Sequence, residues 1–468
     1  MADNSDVALM SHLMRRAGFG ATREEIEALA DQGYEATVDQ LLDPDSQPDI
    51  DEALLFRYHP MAELIYTLPH AQMNWLYRMV NTGRPLREKM ALFWHHVFAT
   101  GNDKVTDAFA MHSQISMFRE HGMGNYRDLL VRLAKNPAMI YWLDNQDNHK
   151  RAPNENWGRE LLELFALGVG NYTEKDVFEC ARAFTGWTFT GKASGIQLGP
   201  IPWKFDYRGE DHDEGEKTFL GETGNFNGED IVEIVVRQPA CPAFITRHLY
   251  NFFVADEPEV PKWPNDPPLD PDAIAQLSEV FVESNYEITP VLKALFNSDF
   301  FKESAYRKVR SPAETVVGTL KVTGDLSDPD PRWGDMAEKP GSMGQDLMNP
   351  PSVEGWHTGR EWINSGALIN RVNFAADRLG NPDLPGVAAI TRRVGSNGPT
   401  MSAAELVDRC LDEMGPMTVD AETHGELVER VSAGGPITRN PGDEDRKFSQ
   451  RVCDLLAMIA GTKEFLFT

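Results

Sequence analysis

The chain is 468 residues long and 41% hydrophobic, with 10 Trp, 24 Phe and 18 Met, which is ample material for a large core. Its 72 acidic residues outnumber 45 basic ones and leave a formal charge of -27. That balance argues against nucleic acid or an anionic membrane as the main partner, because phosphate binding needs a basic surface.

The opening stretch, MADNSDVALMSHLMRRAGFG, places acidic residues before a short apolar run and arginines after it. This reverses the order of a secretory signal. No run along the chain approaches the ~18 apolar residues a membrane span requires, so a soluble, cytoplasmic protein is expected. Residues 8–43 read as helices, with Thr22 as a cap and Pro44 as a stop. A helix rich in Met and aromatics follows from Pro60 to Asn81. Another starts at Pro85, where Met90, Phe93, Trp94, Val97 and Phe98 leave little polar surface. His95 and His96 lie inside it. Adjacent helical positions point about 100° apart, so the two rings do not readily face one metal, and satisfied core histidines are the expectation. Residues 107–145 supply two more helices, the second broken at Asn136-Pro137. The string from Asp144 to His149 reads as a polar turn, since it lacks the glycine and terminal Glu of a calcium loop.

From Asn154 to Trp187 the sequence NENWGRELLELFALGVGNYTEKDVFECARAFTGW carries two helices. Asn154 suits an N-cap, and Trp157, Leu161, Leu164, Phe165 and Gly168 share an apolar face. On the neighbouring face lie Asn156, Glu160 and Glu163, flanked by Arg159, which can pair with Glu155 or Glu163. Two carboxylates therefore point the same way. Gly168 and Gly170 end this helix, and Thr173 starts the next.

After Trp187 the composition turns to glycine, proline and aromatics, a pattern of loops with short strands. Its segment from Asp211 to Lys217, DHDEGEK, packs a titratable His, several carboxylates and a Lys into a loop, which reads either as a functional loop or as a solvated hairpin tip. Helices resume at Asp230 and after Pro242, followed by a Pro-rich acidic linker from Asp256 to Pro271 and two further helical runs. Arg307, Lys308 and Arg310 form a small basic cluster. Residues 325–342 read as a long loop, and the tail from about Pro382 carries two or three shorter helices. Cys180, Cys241, Cys410 and Cys453 show no CxxC spacing and are expected to be reduced, buried thiols. The fold class is mainly α: a large multi-helix body with a Gly/Pro/aromatic loop region containing short β-strands. It divides into helical residues 1–186, the insert 187–229, a second helical region 230–380 and a helical tail 381–468.

The segments HLMRRAGFG, REKMALFWHHVFATGNDKV, NENWGRELLELFALGVGNYTEKDVFECARAFTGWTF, HDEGEKTFLG, YRKVRSPAETVVGTL and GQDLMNPPSVEGW, then WIN and RVNFA, occur in this order across nearly the whole chain. In this the chain resembles the bacterial family named domain of unknown function 1800. The resemblance implies a predominantly helical protein whose four regions make one family domain. It marks the NEN helix, the HDxGxK loop and the NPPSVxGW turn as shared features. It further implies a protein partner of the alkaline phosphatase and sulfatase superfamily, beside which many relatives are encoded, and many relatives are exported, a pattern this N-terminus lacks. Relatives often carry His where Phe165 stands, so a metal site using that position does not transfer.

Two readings of the polar residues follow. In the first the protein is a hydrolase acting on a polar or anionic substrate. Glu160, Glu163, His212 and Asp213 are then its catalytic groups and, if it depends on a divalent metal ion, the ligands of that ion. Asn154, Asn156, Arg159, Lys217 and Trp356 would bind substrate, with Arg159 or Lys217 steadying developing negative charge. In the second the protein is a non-catalytic partner or assembly protein whose Asn, Glu and Arg residues form a structural network, since buried polar groups must be satisfied. Trp356 and Trp362 then belong either to an interaction surface or to the core. Carbohydrate binding on exposed aromatics is a third reading.

Overall fold

The computed structural model describes residues 4–58, 67–191, 202–328, 330, 332–397, 400–438 and 443–468. Part of the helix expected from Pro60 to Asn81, part of the insert and part of the polar loop near Gly434 lie outside these. Helices dominate, and several begin where the sequence offers caps. Thr22, Thr173 and Ser311 each accept a hydrogen bond from the amide three residues on, and the carboxylates of Glu25, Asp176 and Glu314 each accept one from the cap amide. Each reciprocal pair satisfies two donors that a helix start leaves open. Pro85 sits in the first turn of the helix Pro85–Val97, as its fixed φ favours.

Among the described residues, strand structure is confined to small antiparallel pairs. Trp187–Thr190 lies against Lys204–Tyr207, and Lys217–Phe219 against Glu222–Gly224. The second pair turns at Leu220 and Gly221, both with positive φ, the geometry of a tight hairpin. Leu220 is held in that conformation by its amide, which donates to Asp176 Oδ1 at 2.8 Å. The insert is thereby fastened to the helix Glu174–Ala183. A third pair joins Thr400–Met401 to Ile437–Thr438 in the tail.

One buried apolar cluster runs from Val7 to Phe374, and a smaller one from Ala375 to Phe465. The helix Ser365–Leu379 feeds both, with Phe374 in the first and Leu379 in the second. Among the described residues four α-helices follow it, Pro385–Val394, Ala403–Glu413, Ala421–Ala433 and Asp443–Ala460, one or two more than the pattern suggests. The long loop expected over 325–342 also contains helical turns, Trp333–Ala337 and Lys339–Ser342. Trp333 is the reason: its fully buried ring packs 5.4 Å from that of Tyr77, and its indole donates to Asp328 O. Proline and aspartate content marks a segment as irregular, but one large buried aromatic is enough to seat it.

Asn136 does more than break a helix. Its side chain accepts from Ala138 N and Met139 N and starts a new helix, Pro137–Trp142. All four cysteines are free and buried. Among the described residues no helix is long and apolar enough to cross a membrane.

Candidate functional site

The NEN segment starts its helix one residue later than an Asn154 cap implies. Helical residues run Asn156–Glu160, and Asn154 Oδ1 accepts from Asn156 N at 3.0 Å. Asn154 also donates two hydrogen bonds to the 144–148 turn, its amide to Asn148 Oδ1 and its Nδ2 to Asp144 O. Asn156 Nδ2 reaches Asp144 Oδ2. Both asparagines, expected to bind substrate, therefore tie the helix to the preceding polar turn. Arg159 pairs with Glu174 at 2.7 Å and Glu155 at 3.3 Å, and not with Glu163.

Beyond Glu160 the backbone changes character. Leu161–Ala166 is a π-helical turn, and Gly168 N donates back to Leu162 O before φ turns positive at Gly168. Such turns insert a residue into the helical ladder and recur at functional sites. Leu161, Leu162, Phe165 and Ala166 are all fully buried beneath it. Glu160 and Glu163, spaced i and i+3 across this junction, are each half-buried.

Their surroundings differ. Tyr172 donates its hydroxyl to Glu163 Oε2 at 2.7 Å. Among the described residues nothing donates to Glu160. Burial, with the charges of Glu163 and then Glu354 added, pushes its carboxyl up to about 7 against the pull of Arg159. Glu163 and Glu354 line a cleft of about 450 Å³ whose walls are largely apolar, among them Leu164, Phe244 and Trp263. Arg247 also faces it, but its guanidinium is bound to Glu257 at 2.7 Å and covers the Trp263 ring at 4.4 Å.

The HDxGxK loop closes on itself rather than on these glutamates. His212 is buried, its Nδ1 bonded to Thr185 O at 2.9 Å. Asp213 forms a two-point pair with Arg182, and its amide donates to Thr185 Oγ1. Lys217, 1% exposed, donates to the carbonyls of Asp213 and Gly215. These bonds explain why the loop needs His, Asp and Lys without any ligand. No hydrogen bond or ion pair links His212 or Asp213 to Glu160 or Glu163. Among the described residues the four do not bring three ligand atoms within 4.8 Å of one another, so the expected metal set is divided. Lys217 is likewise withdrawn from substrate.

Trp356 is core. It is 4% exposed, with its ring edge-on to His95 at 5.2 Å and stacked near His96 at 6.2 Å. Neither ring nitrogen of His95 has a hydrogen-bond partner, so this core histidine is buried but not satisfied. Burial pushes His95 down to about 3, which keeps the ring neutral between Trp75 and Trp356.

A profile described as Protein of unknown function (DUF1800) matches residues 12–467. The chain belongs to the DUF1800 family. No curated protein and no solved structure matched it.

Two of the DUF1800 motifs meet at the cleft: the NEN helix supplies Glu163 and the NPPSVxGW turn supplies Glu354. Gly355 in that turn has φ +90, and a Cβ there would stand 2.5 Å from His96 O, so the turn can lie flat on the helix Pro85–Val97 only with glycine. Two residues of the cleft, Glu354 and Trp263, and Tyr172, which holds the cleft residue Glu163, escaped sequence reasoning. Glu354 sits inside a motif and was legible there. Tyr172 and Trp263 carry no local mark, because only packing brings them to Glu163. Among the described residues, the side chains that do gather like metal ligands are Glu259, His357 and Glu361, whose ligand atoms lie within 4.8 Å of one another beside the Trp263 wall. His357 and Glu361 are exposed, and Lys262 also pairs with Glu259.

Proposed function

We propose that the cleft lined by Glu163, with Glu160 three residues before it on the same helix, is the active site of a hydrolase acting on a neutral polar substrate. The observation that carries this reading is the unpartnered, half-buried Glu160 next to a Glu163 already held by Tyr172. Two neighbouring carboxyl groups in unlike environments divide acid and base roles. Glu160, raised to about 7, is the proton donor to the leaving group. Glu163 takes the proton from the attacking water. Trp263, Phe244 and Leu164 give the cleft an apolar wall against which the non-polar part of a substrate can lie. The rim carries Glu163 and Glu354 while Arg247 is occupied by Glu257, which favours a neutral over an anionic substrate.

The test is a screen of the purified protein against neutral glycosides and esters, repeated on Glu160→Gln, Glu163→Gln and Trp263→Ala. Each Gln variant is expected to lose about 10²–10⁴-fold in kcat, and Trp263→Ala to raise KM. Retention of activity in both Gln variants removes the reading.

One observation favours a partner-binding role instead. Val169 on the rim and Leu269, next to the cleft residue Pro268, are 48% and 67% exposed. A partner, which the family resemblance suggests is of the alkaline phosphatase and sulfatase superfamily, would cover them. Leu269→Asp distinguishes the two: it abolishes co-purification of such a partner and leaves glutamate-dependent hydrolysis intact.

A further inference from the structure

Three side chains from two distant segments converge beside the Trp263 wall of the cleft. Glu259 precedes Val260, which lines the cleft with Trp263, and His357 and Glu361 follow the NPPSVxGW turn. One oxygen of each carboxylate faces the imidazole. His357 Nδ1 stands 3.4 Å from Glu259 Oε1 and 3.6 Å from Glu361 Oε2, with one ligand atom from each residue all within 4.8 Å. These separations exceed the ~2.7–2.9 Å of a charge-assisted hydrogen bond. They match the edge of a coordination tetrahedron instead, since ligands ~2.0–2.2 Å from a zinc ion lie about 3.4 Å from one another.

The backbone that carries these groups is fixed on both sides. Glu257 is clamped by Arg247 and by the amide of Leu269, and the Trp263 indole donates to Pro258 O at 2.7 Å, so Glu259 sits between two anchors. His357 directly follows the buried Trp356, Glu361 directly precedes the buried Trp362, and Gly359, with φ +62, bends the chain between them. A ligand set held on such a frame loses little freedom on binding. Lys262 reaches only the other oxygen of Glu259, Oε2 at 3.4 Å, which leaves Oε1 turned to the imidazole. Two carboxylates drawn to one ring nitrogen repel each other unless a cation stands between them.

We propose that Glu259, His357 and Glu361 bind a divalent transition-metal ion of the zinc class. An imidazole among the ligands favours zinc-type ions over magnesium and calcium, which take oxygen ligands. Three protein ligands leave a fourth position for water, the pattern of an open site. The ion joins the turn Val260–Lys262 to the turn Gly359–Ile363 and so fixes the Trp263 side of the cleft. The site uses none of Glu160, Glu163, His212 and Asp213 and does not rest on the hydrolase reading.

The test is a calorimetric titration of the full chain, first dialysed against a chelator, with zinc chloride and, for comparison, magnesium chloride. One equivalent of zinc is expected to bind and to raise Tm, because it binds only the folded arrangement, while magnesium at the same concentration does neither. His357→Asn and Glu361→Gln change exposed side chains and are expected to fold as the wild type does. Each should weaken zinc by more than the ~10-fold that loss of an outer partner costs. Cobalt(II) in place of zinc is expected to give the intense visible absorption of a four-coordinate ion in the wild type and not in His357→Asn. Absence of saturable zinc binding to the wild type, or an affinity left unchanged by either substitution, overturns the proposal and leaves the three groups as a surface ion-pair cluster.

Discussion

Tyr172 and Glu163 form the fixed point of the cleft: the phenol donates to Glu163 Oε2 at 2.7 Å, and burial followed by that bond raises the tyrosine's own proton affinity. The partnership gives Glu163 one defined rotamer beside Glu160, which has none imposed on it by hydrogen bonding. A carboxylate that is positioned and one that is loosely protonated make an acid–base pair only if the first stays put.

Removing the phenol tests that dependence. Tyr172→Phe is expected to cost about 0.5–1.5 kcal/mol of stability, read from urea unfolding. It should also lower kcat on any substrate found in the screen by about tenfold with KM little changed. An unchanged kcat would mean that Glu163 needs no positioning.

Glu160 makes a pH-dependent prediction. Its folded value, about 7, lies above the ordinary carboxyl value of 4.5. The native state therefore binds more protons than the unfolded state between these limits, and stability from this group falls as pH rises through that window. Below it the contribution is fully present, and above about 7 it is gone. Glu160→Gln cannot ionise, so it should match wild type near pH 4 and exceed it at pH 8. After discounting for solvent around this half-buried group, the gain is about 1–2 kcal/mol. Denaturant midpoints of both proteins at the two pH values check it. A variant less stable than wild type at pH 8 would show that the carboxylate belongs to a structural network.

Asp213 is expected to behave in the opposite way. Its bond to Arg182 holds the carboxyl below the usual range, so its contribution is present at neutral pH and lost as pH falls through the folded value. Asp213→Asn should cost about 1–3 kcal/mol at pH 7, read from thermal or urea unfolding, and leave cleft chemistry unchanged. Loss of activity without loss of stability would return the HDxGxK loop to the site.

Much of the local order was legible in the residues themselves. Capping boxes at Thr22 and Thr173, the first-turn proline at Pro85 and the apolar face of the NEN helix all follow from short-range rules, because each depends on neighbours within one helical turn. The pairing of Glu160 and Glu163 on one face is of the same kind.

What the sequence could not decide is which polar groups are already spent. The groups His212, Asp213 and Lys217 look the same in sequence whether they hold a ligand or one another, and only Arg182 of the helix Glu174–Ala183 and Thr185 just past its end show that they hold the loop. Trp356 reads as either interaction surface or core, and Trp333 lies in a stretch that reads as a long loop, until the structure buries both. The π-turn at Leu161 has no signature, since its extra residue is stabilised by the packing beneath it rather than by local preference. By itself the chain determined its helices, its family and the two carboxylates. The tertiary structure decided that Glu160 is left without a partner, that Trp263 and Glu354 line the cleft and that Tyr172 holds Glu163 in it, because burial and long-range contact set both proton affinity and access.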